Sequence, residues 1–271
     1  MTAMASNASR FRDLHKAGTL LLPNAWDAGS ARLIEHAGAA AIATTSAGLA
    51  WSCGYADGNI LPPRSLAAAV AAIARVISVP LTVDAEAGYS AEPNEVADRI
   101  AAVIDAGAVG VNLEDGSEPP RLLCAKIEAA RRAAATAGID LFINARTDVY
   151  LRMLVPSESM IAEVIERARQ YRAAGCDGIF MPGLAEPRAI AEIVPAISAP
   201  LNLMVVRGLP PVAELTRLGV RRVSAGSAIA QTAYGAARRA SHQFLTEGRY
   251  EASFEVAIDY GDMNGLFGVG G

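Results

Sequence analysis

The sequence predicts an α/β protein, a (β/α)8 TIM barrel with a C-terminal helical extension. Three observations lead there. From residue 20 onward, short apolar runs alternate with longer Ala-rich segments whose charges recur at helical spacing. The pairs Ala106-Gly107, Ala137-Gly138, Ala174-Gly175 and Leu218-Gly219 fall where a helix should end and a strand begin, and glycine supplies the left-handed cap that such a turn requires. The runs are apolar throughout, the mark of parallel strands covered by helices. An open doubly wound sheet is the alternative, but no GxGxxG follows the first run.

In chain order, strands are expected at 20–24, 40–45, 81–86, 110–114, 141–146, 178–181, 201–205 and 222–225. Helices are expected near 27–37, 64–77, 94–106, 121–137, 158–174, 186–195, 211–217 and 227–246. Eight units of this length suit a closed barrel. The chain reads as one domain, with a core at about 20–247 and a tail at 248–271 that ends in a Gly-rich stretch. The tail either caps the barrel or packs on a neighbouring subunit.

Composition narrows the function classes. Of 271 residues, 52% are hydrophobic, enough for a large core. The net charge is −4 and the basic residues are scattered, which argues against nucleic acid or a membrane surface as partner. Cys53, Cys124 and Cys176 show no CxxC spacing, so reduced thiols are expected. Residues 1–18 are polar, with no signal-peptide core, and the uncharged stretch 37–56 is too rich in Gly, Ser and Thr for a membrane span. A cytoplasmic location is expected.

A parallel barrel carries its chemistry at the C-terminal ends of its strands. Polar residues gather at those points: Asn24 with Trp26 and Asp27, Thr44 to Gly48, Asp84 and Glu86, Asn112 with Glu114 and Asp115, Asn144 to Asp148, and Asn202. Asp84 and Glu86 are two apart, which in a strand puts both on one side. With Glu114 they would place three carboxylates at the mouth, where a hard divalent cation relieves their repulsion. The alternative for each acid is a helix cap or a pair with Arg146. Arg146 itself either grips a substrate carboxylate or pairs with Glu114 or Asp148. The small-residue turn Ser46-Ala47-Gly48-Leu49 offers backbone N–H groups as an anion nest. His15, His36 and His242 lie away from the strand ends and read as structural or surface groups, and Cys124 as a buried inert thiol.

These segments together resemble the isocitrate lyase/phosphoenolpyruvate mutase superfamily. The likeness runs from Asn24 to Ala230 and rests on Asn24-Ala25-Trp26-Asp27, Ser46-Ala47-Gly48-Leu49 with Asp57 downstream, Asp84-Ala85-Glu86-Ala87-Gly88-Tyr89, Asn112-Leu113-Glu114-Asp115 and Ala145-Arg146-Thr147-Asp148. The resemblance implies a barrel whose last helix is swapped between subunits of a homodimer or homotetramer. It implies Mg2+, with Mn2+ as a substitute, on Asp84, Glu86 and Glu114, with Asp84 the direct ligand and Asp57, Glu86 and Glu114 acting largely through bound waters. It implies a 2-oxo acid bound by Trp26, Ser46, Ala47, Gly48, Leu49, Arg146 and Asn202, and catalysis by Asp57, Glu114 and Arg146.

The departures bear on the reaction. Lyases of this superfamily carry a Lys-Lys/Arg-Cys-Gly-His loop after the fourth strand, and phosphonate-processing members a Lys-x-Asn-Ser segment. Here Gly116-Ser117-Glu118-Pro119-Pro120 runs straight into a helix. Gly183 stands where 2-methylisocitrate lyases place a substrate-binding Glu. The expectation is a Mg2+-dependent lyase that cleaves or decarboxylates an oxaloacetate-like acid through a metal-stabilised enolate, chemistry that needs no protein nucleophile. A C–P bond mutase or hydrolase, or a barrel that binds 2-oxo acids without turnover, are the alternatives. Tyr55, Tyr89 or a metal-bound water is the expected proton donor. Short loops are expected to leave the mouth open to bulky acids.

Overall fold

The computed structural model describes residues 3–268, so the last three residues of the Gly-rich terminus lie outside the described residues. The strands are β1 (Leu20–Leu22), β2 (Asn24–Ala25), β3 (Ile42–Thr44), β4 (Leu81–Asp84), β5 (Gly110–Glu114), β6 (Phe142–Arg146), β7 (Gly178–Phe180), β8 (Leu201–Met204) and β9 (Arg222–Ser224). All pairings are parallel, in the order β1-β9-β8-β7-β6-β5-β4-β3-β2. β1 and β2 are two halves of one run, parted at Pro23, which has no N–H for a ladder. One half pairs with β9 and the other with β3, so eight barrel strands form a ring closed through residues 20–25.

Around the ring lie α2 (Ala28–His36), α3 (Ser46–Ser52), α4 (Pro63–Ala74), α5 (Pro93–Asp105), α6 (Pro120–Ala137), α7 (Val149–Arg152), α8 (Met160–Ala173), α9 (Pro187–Ala196), α10 (Val212–Arg217) and α11 (Ala228–Glu247). α1 (Ala3–Asp13) precedes the first strand and α12 (Tyr260–Gly265) lies in the tail. Four helices open on proline, at Pro63, Pro93, Pro120 and Pro187, where the missing N–H would have no helical acceptor anyway. Asp27 lies just before α2 rather than in it, and its carboxylate accepts the Ser30 N–H at 2.6 Å in a reciprocal capping box.

Alternation along each strand sorts the interior. Leu20, Leu22, Ala41, Ala43 and Phe142 form a small apolar cluster with Phe11 from α1, which plugs the lower end of the barrel. Residues Ile42, Val83, Val111, Leu113, Ile143 and Ile179 face outward into the larger core under the helices. Gly110 is required beside the plug, since a Cβ there would lie 2.8 Å from Phe11 Cε1. Of the two readings, structural or surface, His15 takes the structural one: it is buried and stacked on Phe142 with a centroid separation of 4.2 Å.

Several boundaries differ from expectation, and α1, α3 and α7 were not anticipated. β4 ends at Asp84, and Glu86 adopts φ +48, so strand alternation does not extend to it. The segment Ser46–Leu49 is not an open turn but the start of α3. The stretch after β6 is not a short open loop either, because α7 folds over the mouth. The tail returns to its own barrel, where Arg32 Nε donates to the Leu266 carbonyl at 2.8 Å. Among the described residues, no helix is long and apolar enough to cross a membrane.

Candidate active site

A cavity of about 170 Å³ opens at the C-terminal ends of the strands. Ser46, Ala47, Asp57, Asp84 and Arg146, all expected at the site, line it. Asn112, Leu151, Phe180 and Met204 complete its floor and its apolar wall. Trp26, Gly48, Leu49, Glu86, Glu114 and Asn202 stand behind these walls.

Each of those outer residues has an identifiable task. A Cβ on Gly48 would fall 2.7 Å from both Trp26 Cβ and Thr45 Cγ2, so glycine there lets α3 press against Trp26. The Leu49 N–H donates to the Thr45 carbonyl at 3.0 Å and is closed to a ligand. By contrast, Ala47 and Gly48 N–H have no protein acceptor among the described residues, and Ser46 N–H donates to Asp84 Oδ2 at 3.4 Å. Asn202 lies inside the barrel: its Oδ1 accepts from Asn144 at 3.0 Å, and its Nδ2 donates to the Leu203 carbonyl at 2.7 Å.

The carboxylates are distributed rather than gathered. Glu86 turns toward the loop after α3, where its Oε2 accepts the Gly58 N–H at 3.1 Å and the Asn59 N–H. Burial raises its carboxyl above the usual range despite those donors, with Asp84 and Asp57 adding to the rise. Glu114 faces Arg146 Nη1 at 2.7 Å, close enough for an ion pair though not aligned as a hydrogen bond. Burial outweighs that cation and pushes Glu114 up to about 8, with Asp84, Asp148 and Glu86 adding to the rise. Among the described residues, no group of at least three His, Cys, Asp or Glu side chains converges into a ready-made metal cage.

Asp84 Oδ1 is nevertheless buried with no hydrogen-bond donor, whereas the Glu86 carboxylate is beside the Tyr89 hydroxyl and Glu114 Oε2 is matched by the Arg146 cation. Such an oxygen is costly to bury unmatched. Asp84 alone among these three carboxylates lines the cavity. That arrangement fits an ion that takes one direct carboxylate and keeps several waters. Asp57 is exposed and lines the same cavity.

Both expected alternatives for Arg146 occur together. It lines the cavity, yet its Nε and Nη2 bind the Asp148 carboxylate at 2.7 and 3.2 Å. Burial alone would weaken its charge, but Glu114, Asp148 and Asp84 hold the guanidinium protonated. Asp148 is held in turn: its N–H donates to Asp115 Oδ1 at 2.9 Å. Asp115 also accepts from Arg167 at 2.8 Å and from the Tyr171 hydroxyl at 2.6 Å. This support is not legible in the sequence, because its members are 33 to 56 residues apart in the chain. The Tyr89 hydroxyl is buried, and burial followed by the neighbouring Glu86 keeps it protonated. Tyr55 is exposed and lies outside the cavity wall. Cys124 is half-buried on α6, and burial raises its thiol pKa.

Gly183 has a clear steric role. It adopts φ +86, and a Cβ there would lie 3.0 Å from Leu151 N and 3.1 Å from Leu151 Cα. A glutamate cannot stand at that place while α7 is packed as it is. Leu151 from α7 covers the cavity instead.

Comparison with known proteins agrees with this architecture. The phosphoenolpyruvate phosphomutase family model matches residues 11–245. An uncharacterized protein of Mycobacterium tuberculosis is 40% identical over 223 residues, covering 80% of this chain and 81% of that one. Oxaloacetate decarboxylase 1 of Pseudomonas fluorescens is 30% identical over 183 residues, 65% of this chain and 61% of its own. The crystal structure of 2,3-dimethylmalate lyase, a member of the PEP mutase/isocitrate lyase superfamily, superposes with a TM-score of 0.83 at 25% identity, covering 98% of this chain and 95% of that one. With strand-end polar groups, a barrel mouth and a family match that agree along most of its length, the chain belongs to the phosphoenolpyruvate phosphomutase family of the PEP mutase/isocitrate lyase superfamily of enzymes.

Proposed function

We propose that this enzyme is a carbon–carbon lyase that decarboxylates a small 2-oxo acid of the oxaloacetate type, with a divalent metal ion, Mg2+ or Mn2+, held directly by Asp84. The observation that carries the reading is the donor-less Asp84 Oδ1 in a 170 Å³ cavity beside Arg146. When bound, the ion supplies Lewis-acid stabilisation of negative charge on the substrate's 2-oxo oxygen. Asp57, Glu86 and Glu114 would hold it through water.

The chain's own groups bind and orient. The free N–H of Ala47, at the cavity wall, receives the substrate's C1 carboxylate, with Arg146, fixed by Asp148, placing positive charge beside it. Breakage of the bond from C3 to the distal carboxyl releases CO2 and leaves the electron pair delocalised onto the 2-oxo oxygen. A solvent proton then adds at C3. No protein acid or base acts during cleavage, which fits the short connection from β5 to α6. Leu151, Phe180 and Met204 exclude water from the apolar side of the cavity.

The test is consumption of 2-oxo and 2-hydroxy acids, oxaloacetate included, with Mg2+ and then with EDTA, against the metal-only background. Expected is metal-dependent turnover that Asp84→Ala abolishes and that Arg146→Ala lowers on the order of a hundredfold. A fully active Asp84→Ala protein sinks the reading. Turnover of phosphonopyruvate in place of oxaloacetate would move it to C–P chemistry.

For assembly we propose pairing through α11. Leu21 on the outer face of β1 is 51% exposed, in a groove of about 1050 Å³. Across its twenty residues α11 buries only Ala230, and it exposes Phe244 and Leu245. A second copy's helix seated on such apolar surface would cover both.

A further inference from the structure

Asn112 occupies the middle of β5, in register with Asp84 on one side and Asn144 on the other. Its Oδ1 accepts two hydrogen bonds from within the barrel, from Asn144 Nδ2 at 3.0 Å and from Arg222 Nη2 at 3.2 Å. An amide whose oxygen meets two donors cannot flip without setting N–H against N–H. Its orientation is therefore determined. Its Nδ2 has no protein acceptor among the described residues, and Asn112 lines the cavity.

Arg222 is the unusual member of this pair. It is 1% exposed, stands over the Phe11 ring at 5.9 Å, and forms no salt bridge among the described residues. Its Nε and Nη1 have no hydrogen-bond partner. Burial pushes its pKa down to about 9, so the cation persists at neutral pH, and the carboxylate that favours its charge is Asp84. An unpaired buried cation is unfavourable for folding alone. Its one hydrogen-bonding arm reaches the amide that floors the cavity, and a donor on one side of an amide polarises the N–H groups on the other.

We infer that Asn112 Nδ2 donates to a substrate oxygen at the floor of the site, and that Arg222 is a positioning residue that locks and polarises this amide. The inference deepens the 2-oxo acid reading and rests on it. It adds a specificity rule: the ligand group facing Asn112 is a hydrogen-bond acceptor, a carboxylate or oxo oxygen. Acids that present an ammonium there are rejected. Arg222 touches no substrate. It acts through Asn112 and through the positive potential it sets beneath Asp84.

The experiment is calorimetric binding of oxalate, with Mg2+ present, to the folded full chain. Asn112→Ala should weaken oxalate about tenfold or more, the loss typical of a hydrogen bond to a charged group. Asn112→Asp, of the same shape but without the N–H donor, should weaken it further at neutral pH. Arg222→Met should weaken oxalate and Arg222→Lys should restore part of the loss. If the Arg222 variants do not fold, Asn144→Ala removes the other donor to Asn112 Oδ1 and should act in the same direction. Wild-type oxalate affinity in Asn112→Ala overturns the role of Asn112 and leaves the 2-oxo acid reading standing. Failure of the wild-type chain to bind oxalate overturns both.

Discussion

Replacing Gly183 by alanine perturbs a single contact that links the packing of α7 to the size of the active-site cavity. The residue adopts φ +86, where a side chain costs about 1–2 kcal/mol. The new Cβ would also lie 3.0–3.2 Å from the backbone of Tyr150 and Leu151, which cannot rotate away as a side chain could. Overpacking of this kind adds about 1–3 kcal/mol, so the expected loss is roughly 2–5 kcal/mol in all. Each kcal/mol should lower the thermal midpoint by roughly 2–4 °C for a protein of this size. The cheapest relief is outward movement of α7, which carries Leu151 out of the cavity. The variant should therefore gain turnover of acids with a bulky C3 substituent relative to oxaloacetate. Calorimetry and a ratio of kcat/KM values for the two acids read both effects. Leu151→Ala, at a 44% exposed position, should change the ratio with little loss of stability. Unchanged stability and an unchanged ratio in Gly183→Ala would refute the reasoning.

Asp148→Asn removes the charge that fixes Arg146 and should lower kcat/KM by roughly tenfold or more; truncation to Ala should destabilise by about 3–5 kcal/mol, as for other broken buried pairs. Steady-state kinetics and denaturant titration check this, and a fully active Asp148→Asn protein would count against the positioning of Arg146. His15 has its pKa lowered to about 3, first by burial and then by Arg222. Between pH 6.5 and about 3 the unfolded chain binds a proton that the folded chain does not, so stability falls as pH falls through that window, by up to about 1.4 kcal/mol per unit. His15→Phe should flatten that acid limb; an unchanged slope between pH 7 and 5 would show that His15 is not its source. Paired substitution of Phe244 and Leu245 by Glu should shift an oligomer toward monomer in light scattering, and a monomeric wild-type chain would remove the proposed α11 interface.

The barrel was legible in the sequence because its determinants are local. Apolar runs mark covered parallel strands, and Gly107, Gly138, Gly175 and Gly219 all adopt positive φ after their helices, as their positions imply. The polar strand ends were legible for the same reason, since the topology sends every strand's C-terminus to one rim. The missed helices were another matter. α1 is polar along much of its length and is held by Phe11 reaching a distant cluster, and α7 spans only four residues. Glu86 was misplaced because two-residue alternation applies only while the strand lasts, and β4 ends at Asp84.

What the sequence by itself determined is the fold class, the rim at which polar groups collect and the residue types available there. Only the tertiary structure decided how they are shared. Asp115 meets Arg167 and Tyr171 at separations of 52 and 56 residues, and Arg222 reaches Asn112 across 110. The closed ring's register sets which side chains become neighbours, and no local pattern encodes it. That register sets Glu114 beside Arg146 and leaves Asp84 with an oxygen that no donor reaches. The physical reason is that spacing along a chain sets the direction of a side chain, whereas its free lone pairs and its charge depend on partners brought in by long-range packing.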